Sequence, residues 1–447
     1  QERIYGDPIV LDDTAFAVLD LDDDSELPNG EVIDTVSLES AAGVDLDTTA
    51  GAGFYSGNLQ ITGQAGSGGF DAANYDLSYV NGDLVVSQRA VTLTALQQDR
   101  IYGNELVLDD TAFTVLDLDS DNSLPNGEVI DTVALNSVNG VDITTTSNVG
   151  TYTDEIQIVG QTGEAGTNFN AANYDLTYVA GDLVINQRAV TLTASQQERI
   201  YGNELVLDET AFTVEDLDGG PALPNGEVID TVALNSVTGA DLTTTANAGL
   251  YEDEIEITGQ NGSAGFEASN YDLTYVAGDL QVNQRAVTLT ALQQERIYGD
   301  ELVLDETAFT VTDLDGDNAL PNEEVIDTVD LASVWAIPGT LGGVDQNTAA
   351  PVGVYADNIL ILDQNGSNGF DARNYDLSYF SADLVVNQRA VTLTASQQER
   401  IYGNELLLDD VAFTIRDLDG DSILPNGEVI DTVALNSVTG VDVTTTA

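Results

Sequence analysis

Five acidic loops contain the residues whose types and spacing could bind a cation. The loop at residues 117–128 reads Asp-Leu-Asp-Ser-Asp-Asn-Ser-Leu-Pro-Asn-Gly-Glu, with acidic side chains at its first, third, fifth and twelfth positions. A calcium loop has this carboxylate spacing, because the hard cation takes about six to eight oxygen ligands. The predicted Ca²⁺ ligands are Asp20, Asp22, Asp24, Glu31, Asp117, Asp119, Asp121, Glu128, Asp216, Asp218, Glu227, Asp313, Asp315, Asp317, Glu324, Asp417, Asp419, Asp421 and Glu428.

The loops depart from a helix-flanked calcium loop at two points. Asn122 replaces the usual glycine at the sixth position, and the flanking residues have the pattern of strands. The loop at 216–227 has Gly220 in place of its third aspartate, so we expect that site to be weak or empty. The alternative interpretation of all five loops is a solvated turn rich in Asp, Asn and Gly.

Composition limits the classes of partner and chemistry. The chain has 447 residues, with 11 basic side chains, all of them arginine, against 77 acidic ones, a net charge of −66. Such a charge excludes nucleic acid and anionic membrane surfaces as main partners. No His, Cys or Lys is present, so the commonest general base, thiolate chemistry and Schiff bases are all missing. We therefore predict that the protein is not an enzyme, and no apolar run is long enough for membrane insertion.

Two motifs show that the chain is a tandem array. Arg-Ile-Tyr-Gly begins at Arg3, Arg100, Arg199, Arg296 and Arg400, and Arg-Ala-Val-Thr-Leu-Thr begins at Arg89, Arg188, Arg285 and Arg389. The fourth repeat is lengthened by an insertion around Trp335, a possible partner contact. The predicted repeats are residues 1–87 without a first strand, 88–186, 187–283, 284–387 with the insertion, and 388–447 without its C-terminal part.

Each repeat of about 97 to 104 residues reads as an all-β unit. Residues 189–194 alternate apolar and polar side chains, which indicates a half-buried strand. Further strands are predicted at 204–207, 211–214, 227–234, 251–257 and 279–283. Asn81-Gly82 predicts a two-residue hairpin. No window has a helical period, so we predict tandem Ig-like β-sandwiches.

The junction between repeats predicts a stiff array. Residues 84–93 contain neither Pro nor Gly, so one extended segment ends one repeat and begins the next. Short joints of this kind favour an elongated rod. The periodic arginines are expected to pair with nearby carboxylates at these joints. The recurring aromatic residues, such as Tyr5, Phe16, Phe70, Tyr75 and Tyr79, are expected to pack in the core and hairpins.

The repeat resembles the MBG family, the mostly-β, glycine-rich repeats of large bacterial surface proteins. The residues that carry the resemblance are the opening Arg188–Ala194, the Ile200–Gly202 motif and the closing Asn270–Leu280 segment. The resemblance implies an extracellular adhesin stalk or surface fibre. The extreme acidity, the absence of Lys and the Asp-x-Asp-x-Asp loop depart from the family pattern.

The main functional hypothesis is a structural segment of an extracellular, cation-stiffened repeat array at the cell surface or in a matrix. One alternative is a self-assembling filament subunit, in which neighbouring copies of the chain exchange strands. The other is an array of carbohydrate- or surface-binding modules, with Trp335 in the binding repeat. The sequence leaves open whether the chain is a window on a longer array or a unit whose end repeats complete each other between copies.

Overall fold

A computed structural model describes residues 1–21, 25–41, 43–45, 47–163, 165–316, 318–334 and 348–438. These residues form β-strands joined by turns and by one-turn 3₁₀-helices, which confirms the predicted all-β repeats. Within these residues, no helix is long and apolar enough to cross a membrane. The 3₁₀-helices are Pro28–Gly30, Ala72–Asn74, Pro125–Gly127, Ala171–Asn173, Pro224–Gly226, Ala268–Asn270, Pro321–Glu323, Ala372–Asn374 and Pro425–Gly427.

The strands recur with the period of the sequence. The first repeat has β1 (Glu2–Ile4), β2 (Val32–Ser40), β3 (Gly53–Ser67) and β4 (Gly82–Ser87). The second has β5 (Arg89–Ala95), β6 (Gln98–Ile101), β7 (Phe113–Asp117), β8 (Ile130–Ser137), β9 (Gly150–Gly163), β10 (Tyr174–Val179) and β11 (Gly181–Asn186). The third has β12 (Arg188–Ala194), β13 (Gln197–Ile200), β14 (Phe212–Asp216), β15 (Val228–Ser236), β16 (Gly249–Ser263), β17 (Tyr271–Val276) and β18 (Gly278–Asn283).

The remaining strands lie in the fourth and fifth repeats. The fourth has β19 (Arg285–Ala291), β20 (Gln294–Ile297), β21 (Phe309–Asp313), β22 (Val325–Ser333), β23 (Gly353–Ser367), β24 (Tyr375–Phe380) and β25 (Ala382–Asn387). The fifth has β26 (Thr392–Ala395) and β27 (Phe413–Arg416). The chain divides into two compact units, and the division runs through the third repeat. The first unit is Gln1–Leu192, Val214–Asp230 and Asn261–Thr274; the second is Thr193–Thr213, Thr231–Gln260 and Tyr275–Ala447.

The second repeat, which lies wholly in the first unit, shows the architecture. One sheet has the order β10-β5-β7, with β5 parallel to β10 and antiparallel to β7. The other has the order β6-β11-β9-β8. Alternate residues of β5 face the interior, so Val91 and Leu93 are almost fully buried, as are Ile156 and Leu183 of the other sheet. Removing these side chains from water supplies the main driving force for the two sheets to pack.

Two local predictions are wrong. The segment 204–207 forms no strand; Leu205 makes one backbone hydrogen bond to Asp241, and Val206 is 91% exposed. The segments on either side of the supposed hairpin turn belong to different sheets, as β10 and β11 show in the second repeat. The chain crosses between sheets at Gly181, where an added Cβ would lie 2.5 Å from the Ala95 carbonyl oxygen. Glycine is therefore needed at this position because the backbone at Ala95 lies too close for a side chain, and not because the chain forms a tight hairpin turn.

Candidate functional site: the joint between repeats

In the second, third and fifth repeats, the acidic loop folds as a tight turn directly after a strand. In the second repeat, Asp117 ends β7, and its backbone amide donates to the Asp121 carbonyl over 2.9 Å. The loop ends in the turn Pro125–Gly127, in which Asn126 adopts a φ of +62°. Asparagine tolerates this left-handed conformation better than most residues do. The sequence Leu-Pro-Asn-Gly-Glu thus positions the last acidic residue of the loop.

The arginine at the start of β5 joins this loop to the preceding repeat. Arg89 Nε donates to both carboxylate oxygens of Asp117, at 2.8 and 2.9 Å, and Nη2 donates to Asp119. Through Nη1, the same guanidinium donates to Asp7 Oδ1 (2.8 Å) and to the Tyr5 carbonyl (3.3 Å). Asp7 and Tyr5 belong to the first repeat, and Asp117 and Asp119 to the second. One buried guanidinium therefore ties two consecutive repeats together.

The same cluster recurs at three further joints. Arg188 binds Asp216 and Asp218 together with Asn104 of the second repeat (2.5, 2.5 and 2.9 Å). Arg285 binds Asp313 and Asp315 together with Asn203 of the third repeat (2.6, 2.5 and 2.9 Å). Arg389 binds Asp417 at 2.9 Å and Asp300 of the fourth repeat at 2.5 Å, and it also contacts Asp419. The prediction that these arginines pair with carboxylates at the joints is confirmed.

The electrostatics of the cluster keep both partners charged. Hydrogen bonding to Asp117 raises the pKa of Arg89 above its usual value, against the opposing effect of burial. Burial pushes the pKa of Asp216 upward, but the hydrogen bond from Arg188 and those from the loop amides outweigh it and leave that pKa lowered. Ion pairs with extra hydrogen bonds of this kind remain charged when buried, which fixes the geometry of the joint.

A glutamate between two tyrosines forms the second part of the joint. The hydroxyl of Tyr5, from the first repeat, donates to Glu128 Oε1, and the hydroxyl of Tyr174 donates to Oε2 over 2.9 Å. Glu128 is the twelfth residue of the acidic loop. The arrangement recurs as Tyr102–Glu227–Tyr271 (2.5 and 2.7 Å) and as Tyr201–Glu324–Tyr375, and Tyr298 donates to Glu428 (2.5 Å).

Burial in the joint raises the pKa of Tyr102 and of Tyr201. For Tyr102, desolvation is the largest cause, and the hydrogen bond to Glu227 and its negative charge add to it, which raises the pKa to about 12. The pKa of Tyr201 is also raised to about 12, for the same reasons with Glu324 as the partner. The neutral phenol therefore remains a hydrogen-bond donor well above neutral pH.

A turn-on-turn contact completes the joint. A Cβ added at Gly103 would lie 2.4 Å from Cβ of Pro224, so the Tyr-Gly turn of one repeat packs directly on the Pro-Asn-Gly turn of the next. Asn225 of that second turn accepts a hydrogen bond from Thr145 Oγ1 (2.7 Å). Asn270 accepts one from the amide of Val149 (3.0 Å). The contact is therefore polar as well as sterically tight.

The other periodic arginines serve a different purpose from the one predicted. Arg100 donates to the backbone carbonyls of Val141, Asn104 and Thr144, at 3.0, 2.9 and 2.8 Å, all within its own repeat. Arg199 makes the corresponding contacts in the third repeat. For these two, the expected pairing with carboxylates at the joint is wrong. Their guanidinium groups instead hold a loop in place through its backbone carbonyl oxygens.

The predicted calcium ligands separate into these two clusters. In the second to fourth repeats, the first and third acids of the loop bind the arginine, and the twelfth lies between two tyrosines. In the second repeat, Asp121 Oδ1 accepts a hydrogen bond from the Ser123 amide (2.9 Å). In the part of the chain that the structure describes, no three acidic side chains are grouped so that they could hold a metal ion. Asp22, Asp24, Asp317 and Trp335 lie outside the described residues, and calcium binding stays a prediction.

Sequence reasoning missed the tyrosines and the Pro-Asn-Gly turn as joint residues. Tyr5 is buried, as expected of a core residue, but its hydroxyl contacts the next repeat. The signal was present in the sequence, because a tyrosine precedes the same glycine in all five copies of the motif. A tyrosine that only fills the core can be replaced by another apolar residue, whereas a tyrosine whose hydroxyl donates a hydrogen bond cannot.

Comparison with known proteins identifies one repeat. Residues 190–281 match a protein family described as the MBG domain (YGX type). The matched range includes Tyr201, Gly202 and Asn203, a Tyr-Gly-X sequence whose three residues contact Glu324, Pro321 and Arg285 at the joint.

A structural comparison gives a weaker likeness. The structure of the Bacillus anthracis TIE protein aligns with 74% of this chain at 10% identity and a TM-score of 0.18. The alignment spans 57% of that protein's length. A likeness at this TM-score carries no argument about function. No curated protein matches the chain.

Proposed function

This chain carries an MBG-type repeat at residues 190–281, and from that premise we propose that it is a structural segment of an extracellular repeat array on a bacterial surface. MBG domains occur in bacterial surface proteins. In this proposal the array is an adhesin stalk or a surface fibre, and its task is to hold a fixed distance and direction. The joints, and not any single repeat, perform that task.

The repeated joint is the observation that supports the proposal. Four arginines, at equivalent positions, each contact the preceding repeat and the acidic loop of their own repeat. A chain of independent domains needs no such contact, and a flexible linker would leave each repeat free to rotate. Repeating the same buried ion pair at each joint repeats the same orientation, which suits a spacer.

The surface charge fits the same role. With a net charge of −66, neighbouring arrays repel one another and stay solvated. We propose no catalytic role, since His, Cys and Lys are missing from the sequence. Carbohydrate binding through the Trp335 repeat stays a prediction that no described residue favours.

Distance measurements between spin labels test the proposal directly. The chain has no cysteine, so cysteines introduced at the exposed positions Gln60 and Gln157 carry the only labels, one on each side of the first joint. We expect a narrow distribution of distances, because Arg89 and Tyr5 hold the first two repeats. The variant Arg89→Gln should broaden it, since Asp117 is then buried without a cation, at a cost of about 3–5 kcal/mol.

The matched control is Arg373→Gln. It removes the same charge from an exposed arginine that pairs with Asp371 of its own repeat, and an exposed ion pair of this kind contributes little. The distance distribution should not change in this variant. A broad distribution in the unaltered chain would refute the spacer role, because repeats that reorient freely cannot set a distance.

A further inference from the structure

One loop of the second repeat reaches across the joint to the third repeat. It consists of residues 138–149, between β8 and β9, and is called the joint loop below. Thr145 Oγ1 donates to Asn225 Oδ1 of the third repeat (2.7 Å), and the amide of Val149 donates to Asn270 Oδ1 (3.0 Å). The Asn270 side chain is buried at this contact. The orientation of the third repeat therefore depends on where the joint loop lies.

A buried glutamate holds the joint loop by its amide groups. Glu155, on β9, is 2% exposed. Its Oε1 accepts hydrogen bonds from Ser137 Oγ and from the backbone amide of Asn139 (2.8 Å), and its Oε2 accepts one from Asn139 Nδ2 (2.7 Å). Ser137 Oγ in turn accepts a hydrogen bond from the amide of Val141 (2.9 Å). One carboxylate therefore fixes the start of the loop, both directly and through a serine hydroxyl.

An arginine holds the same loop by its carbonyl groups. Arg100 Nε donates to the Val141 carbonyl (3.0 Å), and Nη2 donates to the Thr144 carbonyl (2.8 Å). The N–H end of a peptide unit is positive and its C=O end is negative, so an anion near the first and a cation near the second both stabilise it. Glu155 and Arg100 thus stabilise one position of the joint loop from its two polar sides.

Glu155 remains ionised in this position. Burial pushes its pKa upward, but the hydrogen bonds from Ser137 and Asn139 outweigh burial and leave that pKa lowered. A protonated carboxyl group would have less acceptor capacity to offer these donors. The joint loop therefore supplies the donors that make a buried carboxylate tolerable, and the carboxylate in return fixes the loop.

The third repeat has the same arrangement. Glu254 is 4% exposed, and its Oε1 accepts hydrogen bonds from Ser236 Oγ and from the amide and hydroxyl of Thr238 (2.9 and 2.8 Å). Further along this loop, Thr244 Oγ1 donates to Asn322 Oδ1 of the fourth repeat (2.6 Å). The buried glutamate and the contact with the next repeat therefore occur together at two successive joints.

The first repeat holds its loop with a neutral side chain. Asn58 occupies the position of Glu155, and its Oδ1 accepts a hydrogen bond from Ser40 Oγ (2.5 Å). The sequence has Ala42 in place of Asn139. Asparagine has one acceptor oxygen in its side chain where glutamate has two, so the loss of one acceptor is matched by the loss of the side chain that would donate to it.

The neutral version makes the same contact with the next repeat. Thr48 Oγ1 donates to Asn126 Oδ1 over 2.7 Å, which equals the distance from Thr145 to Asn225. The two repeats thus satisfy one requirement in two ways: the serine needs an acceptor, and the residue two places after it must suit that acceptor.

We propose that Glu155 and Glu254 are positioning residues of the joints, each of which holds the loop that orients the following repeat. The pair Glu155 and Asn139 has, in this view, the role that Asn58 and Ala42 have in the first repeat. The inference rests on the proposed spacer function, because the position of the loop affects the array only if the joints set the direction of each repeat.

Spin labels on the two sides of the second joint test the inference. Cysteines at the exposed positions Gln157 and Thr274 place one label in the second repeat and one in the third. We expect a narrow distance distribution in the otherwise unaltered chain and a broad one in Glu155→Ala, because the amide of Asn139 then loses its acceptor. Labels at Gln60 and Gln157, across the first joint, should keep a narrow distribution in the same variant.

A double exchange is the matched control. Glu155→Asn combined with Asn139→Ala installs the arrangement of the first repeat and should restore the narrow distribution. Glu155→Asn alone places two side-chain NH₂ groups against each other and should broaden it, which provides a milder variant if Glu155→Ala does not fold. Hydrogen exchange of the Asn139 and Val141 amides should be faster by about tenfold in either single variant and slow again in the double variant.

The outcomes separate this inference from the spacer proposal. A narrow distribution across the second joint in both the unaltered chain and the single variants would overturn the inference and leave the spacer proposal standing. A double variant that folds but keeps a broad distribution would also overturn it. A broad distribution in the unaltered chain would refute the spacer proposal, and the inference with it.

Discussion

A glutamate that accepts from two tyrosines is the residue-scale unit of the joint. Glu227 is buried, with Tyr102 of the second repeat and Tyr271 of the third as donors, at 2.5 and 2.7 Å. Hydrogen bonds to a charged acceptor contribute about 1.5–3 kcal/mol each, more than neutral ones. A buried carboxylate without donors would cost several kcal/mol. The tyrosines therefore determine whether a glutamate is tolerable at this position.

The raised tyrosine pKa predicts loss of stability at alkaline pH. Tyr102 has an ordinary value of 10.0 in the unfolded chain and about 12 in the fold. The folded state therefore holds its proton more tightly, and this contribution to the free energy of unfolding is complete below about pH 10. It declines as the pH rises from 10 and is lost above 12. We expect the thermal midpoint to fall steeply over this range, measured by circular dichroism.

Two variants separate this effect from general alkaline damage. Tyr102→Phe should lower the midpoint at pH 8 and flatten the decline above pH 10, because the titrating hydroxyl is gone. Tyr152→Phe, in the same repeat, removes an exposed hydroxyl that donates to the Asn148 carbonyl, so the alkaline decline of this variant should match that of the unaltered chain. An equal decline for Tyr102→Phe would contradict the role of the joint tyrosine.

At the scale of elements, the joint is a contact between two turns. The Tyr-Gly turn follows the short strand β6, and the Pro-Asn-Gly turn follows the acidic loop of the next repeat. Gly103 has a φ of +84° and lies against Pro224, so it meets both a conformational and a steric requirement. Each element is short and unstable alone, and the two turns gain a fixed position by packing against each other.

The variant Gly103→Ala should destabilise the chain more than Gly219→Ala. Both glycines have nearly the same left-handed φ, +84° and +79°, so alanine costs about 1–2 kcal/mol at either position. At position 103 the new methyl group overlaps Pro224, whereas at position 219 no described atom lies within 4 Å of it. Overpacking adds about 1–3 kcal/mol, so urea unfolding should separate the two variants by that amount. Equal losses would show that the turns do not pack tightly.

The sequence predicted strands well where one face of the strand is buried, because apolar and polar side chains then alternate along it. The alternation in residues 189–194 correctly predicted the strand Arg188–Ala194, because its apolar face lies in the core. It failed where tertiary contacts override the pattern: the predicted strand at 204–207, with its apolar residues 205–207, is irregular, and Gln197–Ile200 is a strand although it carries two charges. Arg199 is buried there because Ala240 and Thr243 offer carbonyls from a distant loop, which no local pattern reveals.

The candidate site was predicted in part. Spacing alone identified the acidic loops and the joint arginines, but it grouped Asp117 with Glu128 as ligands of one ion. In the structure the two side chains have different donors: Asp117 accepts from Arg89, and the glutamate after the turn at Pro125–Gly127 accepts from tyrosines of two repeats. Regular spacing in a sequence shows that the spaced residues have the same structural role, but it does not show which residues they contact. That partner lay in the preceding repeat, 123 residues away from Glu128 in the case of Tyr5.

At the scale of the whole molecule, negative charge opposes the compact state. The 11 arginines offset few of the 77 acidic side chains, and the joint arginines are buried with carboxylates of their own. Most of the surface charge is therefore balanced only by ions from solution. The screening length is about 10 Å at 0.1 M salt and about 3 Å at 1 M, so salt weakens repulsion between surface carboxylates. Buried pairs such as Arg188–Asp216 are screened much less.

We therefore expect the thermal midpoint to rise by several degrees between 0.05 and 1 M NaCl, since repulsion is screened while the joints persist. Calcium chloride, added after chelation and compared with NaCl at equal ionic strength, separates screening from specific binding. The first, third and twelfth acids of each fully described loop already have arginine or tyrosine donors, so calcium should add little beyond its ionic strength. A rise of many degrees that magnesium does not reproduce would establish the calcium loops that the spacing predicts, because an ion bound specifically to the folded state stabilises it by an amount that grows with the logarithm of the ion concentration above its dissociation constant. In that case, the loop at 216–227, with Gly220 in place of an aspartate, should respond least.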